Sequence, residues 1–423
     1  MEPNVTSQDP SMVDSTEPTT LPVRPLPIGA FPLPFGYLLL PDREDTAQVR
    51  AELLAGRLPQ HWPHSLRGHE LALHGEIDAA RAAMTGDDIV SRFNRFVIDP
   101  DQEDPDLLRA GLGPELGILV DVVLIAVGRL DALPGSEGAT GELAALALAS
   151  RAAIALERGQ PDAAAALLDE AAAAARVGYP AFAGVLHGAC GQVQRQAGAL
   201  DTAAESLRAG LALLADTELA VARAELHFEL AATLHEQAGE RRDLLTKAIH
   251  HYHCALQEIG KGDAPELYAA AHANLATAYL TMPMVEASDQ LRLGVAVGSL
   301  RAALTVYTPQ THPQKWSSAQ LNLANALVYA PSTHQGDNLV EAVELYEAVL
   351  GARDRDQDPL GRARVLANQG NALAHLGMFE QARANLVEAR FTFEELHEYE
   401  AVTSVRGILD EIARHHAVTG TQA

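Results

Sequence analysis

The densest grouping of side chains able to do chemistry is the stretch AIHHYHCAL, which carries His250, His251, His253 and Cys254, with His235 one turn-crossing upstream. On a helix His250 and Cys254 stand four apart and share a face, a spacing compatible with a metal ion. The same residues flank Tyr252, which occupies a position expected to pack into a core, so several of them must point to solvent. Short helical histidine clusters of this kind are usually surface or groove residues, and neither a metal nor a cofactor is expected from them. Elsewhere the chain has no Gly-rich phosphate loop, no HExxH, no nucleophile elbow and no paired carboxylates suited to a cleft. The expectation is a binding protein rather than an enzyme.

A second set of residues points to recognition. Asn274, Asn322 and Asn368 each stand two residues before a recurring small residue, and Asn325 and Asn371 stand one residue after it. Asparagine costs more in a helix than Ala, Gln or Glu, so its return at one offset is not explained by indifference. An amide donates and accepts at once, which suits it to the backbone of an extended protein or peptide segment. The matching upstream positions hold Glu229, Ala189 and Ser150, which confines the asparagine surface to the C-terminal half.

The elements that must position these residues are helical hairpins. In RARVLANQGNALAHLGMFEQARANLVEARFTFEEL, from Arg362 to Leu396, an apolar period of 3.6 residues runs up to Gly377 and resumes after it. Small residues equivalent to Gly370 recur at Gly68, Ala152, Gly191, Ala231, Ala276 and Ala324. A second-helix alanine follows in step at Ala80, Ala164, Ala203, Ala248, Ala296, Ala342 and Ala382. Four residues further stands Met84, Leu168, Leu207, Tyr252, Leu300, Tyr346 or Leu386. No hairpin of this kind buries its apolar face alone, so the expected fold is an all-α, right-handed superhelical solenoid, without a sheet, closed by a capping helix after Glu400.

Three regions are expected. Residues 1–44 form a leader, polar to Thr20 and then extended through Pro22, Pro25, Pro27, Pro32 and Pro34, with Phe31, Phe35 and Leu38 to Leu40 packing on the first helices. Residues 45–135 hold degenerate helical repeats, and the loop PGSEGATG leads into a regular array over 136–423. The leader has no basic n-region followed by an apolar core, so no secretory signal is read there. The apolar run from Leu116 to Gly128 contains Asp121 and is shorter than the roughly 20 residues of a spanning helix, so it reads as a buried helix and no membrane association is expected. A formal net charge of -25 repels phosphate backbones and argues against nucleic acid. The two cysteines, Cys190 and Cys254, are far apart with no CxxC pair, which suits buried thiols in a reducing cytoplasm.

The hairpin pattern resembles the tetratricopeptide repeat, a unit of about 34 residues with small and aromatic or leucine residues at fixed offsets. A narrower resemblance covers roughly Arg223 to Arg414. The stretch SLRAALTVYTPQTHPQKWSSAQLNLANAL, followed by GDNLVEAVELYEAVL, is similar to the long tetratricopeptide units of bacterial arrays found beside CHAT protease domains, and in style to kinesin light-chain repeats. In those relatives first-helix positions face a concave groove. The resemblance therefore implies that Asn274, Asn322, Asn325, Asn368 and Asn371 line a groove for an extended peptide. It implies a scaffold or adaptor in a bacterial cytoplasm, with an assembly factor for a multi-subunit metalloenzyme such as a hydrogenase, or the sensor part of a regulator, as alternatives.

Overall fold

The computed structural model describes residues 23–24, 38–41, 43–133, 138–239, 241–282, 289–330, 334–352 and 358–420. The alanine- and leucine-rich windows form helices, as their propensity dictates. Those of the N-terminal region are α1 (Ala47–Leu54), α2 (Arg67–Leu73), α3 (Ile77–Ala83), α4 (Ile89–Ile98), α5 (Pro105–Leu116) and α6 (Ile118–Ala126). The longer pairs follow as α7 (Gly141–Glu157) with α8 (Pro161–Ala175), α9 (Pro180–Gln196) with α10 (Leu200–Leu214), and α11 (Ala220–Ala238) with α12 (Arg242–Glu258). The last are α13 (Pro265–Thr281) with α14 (Asp289–Leu304), α15 (Pro313–Tyr329) with α16 (Gln335–Ala352), α17 (Pro359–His375) with α18 (Phe379–Glu395), and the terminal α19 (Tyr399–Gly420). Proline opens α8, α9, α13, α15 and α17, where its fixed φ suits the first turn and its missing N–H costs no helical bond. At the short turn between α17 and α18 Gly377 has φ 76°, and the amide of Met378 closes back on the Leu373 carbonyl.

The chain divides into two compact units, Met1–Leu226 and His227–Ala423. In the first, one apolar cluster runs from Leu38 to Val193, drawing on α2 to α6 as well as on α7, α8 and α9. Leu38, Leu39 and Leu40 of the leader are buried as expected, whereas Phe31 and Phe35 lie outside the described residues. From Asp45 to Arg414 no strand occurs among the described residues, as expected. Two residues of extended leader, β1 (Val23–Arg24), pair antiparallel with β2 (Leu38–Leu39), because a proline-spaced chain that cannot coil satisfies its backbone by laddering. Leu39 is clamped by the buried Asn94 of α4, whose Oδ1 accepts from the Leu39 amide at 2.7 Å while its Nδ2 donates to the Leu39 carbonyl at 2.8 Å. Asp121 within the apolar α6 is held by Arg109 at 2.7 Å, which explains a carboxylate in an otherwise buried helix. The end of α1 also meets the α10–α11 turn, where Glu218 donates its amide to Gly56 and accepts the Leu58 amide through its carboxylate.

In the second unit consecutive hairpins stack through clusters centred on Tyr346 and Leu300 and on Leu386 and Phe393, and α19 covers the last with Val402, Val405 and Ile412. Trp316 is half-buried against Ala269, Ala303 and Tyr307.

The three sequence marks of a hairpin meet in space. A Cβ placed on Gly370 would lie 2.7 Å from Leu386 Cγ and 3.2 Å from the Ala382 carbonyl oxygen. Gly191 stands in the same relation to Leu207 and Ala203, and Gly68 to Met84 and Ala80. The fold is therefore an all-α array of tetratricopeptide-like hairpins. Among the described residues no helix is long and apolar enough to cross a membrane.

Candidate functional site

The five asparagines fall on the first helices of three successive hairpins, all half-buried, and they separate into two kinds. Asn325 Oδ1 accepts from Tyr346 Oη at 2.7 Å within its own hairpin and from Asn368 Nδ2 at 3.0 Å in the next. Tyr346 is 1% exposed, and burial first, then Tyr329, pushes its hydroxyl well above the ordinary tyrosine pKa, so it remains a donor. Asn325 and Asn368 thus tie one repeat to the following one. Asn274, Asn322 and Asn371 have side-chain amides with no protein partner among the described residues. A buried Gln369 continues the network, donating to the Val343 carbonyl and accepting from Asn385 at 2.8 Å.

Helical spacing extends the asparagine set by a member that offset counting had missed. Five residues after each small marker stand Thr281, Tyr329 and His375, which complete the i, i+3, i+7 stripes Asn274–Thr277–Thr281, Asn322–Asn325–Tyr329 and Asn368–Asn371–His375. Tyr329 is 66% exposed, an aromatic ring presented beside two amides. The stripe of α17 runs into a cavity of about 500 Å³ lined by Asn371, His375, Phe379, Ile408, Glu411 and His415. Its walls mix apolar side chains with Asn371, two histidines and one carboxylate, Glu411. In the turns TMPMVEASDQLR and YAPSTHQGDN, which join the helices of two of these hairpins, residues 283–288 and 331–333 lie outside the described residues.

A separate cavity of about 510 Å³ occurs in the first unit, with Leu58, Trp62, Leu73, His74, Glu218 and Val221 in its walls.

The histidine cluster divides in a way its local spacing did not foretell. His250 Nε2 does lie 3.5 Å from Cys254 Sγ. The tighter grouping, however, brings in His227 of α11, whose Nδ1 is 3.0 Å from Nδ1 of His251, with the rings stacked at 5.2 Å. His253 instead bonds the Tyr279 hydroxyl at 3.0 Å, and His235 meets the edge of Tyr252. Cys254 is half-buried, not buried as expected, and its thiol is pushed up by burial and by Glu258. Cys190 is buried, and there too burial raises the thiol. His227 also belongs to a row that sequence reading overlooked: four residues before successive markers stand His187, His227, His272 and Gln320.

No family model matches this chain, and no curated protein matches it. Among solved structures it is similar to the apo form of RapI, at 13% identity and a TM-score of 0.49 over 84% of this chain and 98% of that one. It is also similar to a Rap protein complexed with competence and sporulation factor, at 15% identity and a TM-score of 0.42 over 84% and 98% of the two chains. Human IFIT1 in a dimer with PPP-AAAA gives 17% identity and a TM-score of 0.40 over 80% and 72%. Likeness at this level carries nothing about what this chain binds.

Proposed function

We propose that this chain is a scaffold that takes an extended segment of a protein partner along the first helices of its C-terminal hairpins, in the manner of the long tetratricopeptide units it resembles. The observation that carries this reading is the bond from Asn368 to Asn325. It joins the stripes of α15 and α17 across a repeat boundary into one polar surface, on which Asn322 and Asn371 keep amides to offer. Successive amides fit the alternating donors and acceptors of an extended backbone, giving affinity with little dependence on its side chains. The cavity beyond Asn371 then receives one apolar or aromatic side chain, and Glu411 in its wall favours a basic neighbour. Adaptor, assembly factor and sensor would use the same surface in the cytoplasm.

The test is affinity capture from the native cell by the full chain, compared with an Asn322→Ala, Asn371→Ala double variant of unchanged circular dichroism. The expected result is a partner retained by the first and strongly depleted by the second. Equal recovery by both would place the binding surface elsewhere.

A further inference from the structure

The ligating side chains of His227, His251 and Cys254 come together between α11 and α12, an arrangement the recognition surface does not use. One ligand atom from each of the three lies within 4.8 Å of the other two, and each residue is half-buried. A tetrahedral zinc ion, with Zn–N of about 2.0–2.1 Å and Zn–S of about 2.3 Å, sets two nitrogens about 3.3 Å apart and a nitrogen and a sulfur about 3.6 Å apart. The 3.0 Å separation of the two imidazole nitrogens is close to the first figure, and the sulfur stands within 4.8 Å of a ligand nitrogen of each ring. We propose that His227, His251 and Cys254 form a site for a thiophilic divalent cation, zinc by preference, that pins the two helices of this hairpin together.

The donor set decides the class of ion. Two imidazoles and a thiol suit zinc and other borderline or soft cations, and they offer none of the oxygen donors that calcium and magnesium require. Binding replaces the thiol S–H bond with a sulfur–zinc bond. The released proton passes to solvent. Three protein ligands leave a fourth coordination position for water or for a partner's side chain. Without an ion the two Nδ1 atoms stay within hydrogen-bonding distance, one ring donating to the other, so the pair is held together in either state. His227 lies in the helix before the cluster, which is why spacing within AIHHYHCAL pointed to His250 instead.

The full chain, stripped of metal by a chelator, is titrated with zinc by calorimetry and with cobalt(II) by absorption. One equivalent should bind, and cobalt should show the thiolate-to-metal charge-transfer band that only a cysteine ligand gives. Cys254→Ser should abolish the band, His227→Gln should weaken zinc by about tenfold or more, and Cys190→Ser should change neither. The cobalt band of the unaltered protein needs no variant, so poor folding of a mutant does not shield the proposal. No charge-transfer band, or wild-type zinc affinity in both Cys254→Ser and His227→Gln, would overturn it and assign any zinc uptake to other histidines. The outcome is independent of whether a partner binds the asparagine stripe.

Discussion

Gly370 lies beneath Leu386 so closely that a Cβ on the glycine would come 2.7 Å from the leucine Cγ, while Leu386 is itself fully buried. The contact is where α17 and α18 cross, and it fixes how near their backbones stand. Equivalent crossings at Gly191 with Leu207 and Gly68 with Met84 make it the repeating joint of the chain.

That joint leaves no room for added volume. Gly370→Val should destabilise the protein by about 1–3 kcal/mol through overpacking, despite a better intrinsic helix propensity. Shortening the opposing side chain in a Gly370→Val, Leu386→Ala double variant should cost less than the two single changes added together. Ala382→Leu, on the other side of the same crossing, should lose a similar amount. Chemical denaturation of the four proteins measures all of this, and strictly additive losses would show that the two side chains do not meet.

The two kinds of asparagine should respond in opposite ways. Asn325→Ala removes the acceptor of the buried Tyr346 hydroxyl and should cost about 1–3 kcal/mol of stability. Asn322→Ala should leave stability within about 0.5 kcal/mol, since its amide has no protein partner among the described residues. Thermal melts of the two single variants separate the repeat-tying role from the surface role.

Charge sets the salt dependence of recognition. With a net charge of -25 and Glu411 in the wall of the terminal cavity, a basic partner segment should bind more weakly as added salt screens the attraction. Titrations of the captured partner at low and high ionic strength measure it. Salt-independent affinity would assign recognition to amide and apolar contacts alone.

Stability should fall on mild acidification. His69 is buried, its Nε2–H donates to the Leu39 carbonyl, and burial holds its pKa below the usual 6.5, only partly offset by that bond. The unfolded chain therefore binds the proton more readily. The contribution is complete above about pH 6.5 and is lost as pH falls from there toward the folded value. His187, His235 and His272 are lowered by burial in the same sense. The melting temperature should drop between pH 7.5 and pH 5.5, and His69→Gln, which keeps a donor but does not titrate, should drop less. An equal drop in both would clear His69 of the effect.

The sequence by itself determined the hairpins, their register and the crossing triads, because these depend on residues within one repeat. Apolar period, proline at helix starts, glycine at the turn, and the Gly370, Ala382 and Leu386 spacing are all local signals. It also located the five asparagines, since recurrence at a fixed offset needs no coordinates. Tertiary structure alone decided which of them are engaged. Asn325 and Asn368 are 43 residues apart in the chain yet within hydrogen-bonding distance, because stacking one hairpin on the next brings the same face of successive first helices together. The same physics moved the metal-ligating group from His250 to His227. Helix spacing ranks neighbours on one helix, whereas a cluster of ligands is built across the gap between two, and the width of that gap is set by packing that no single stretch of sequence contains.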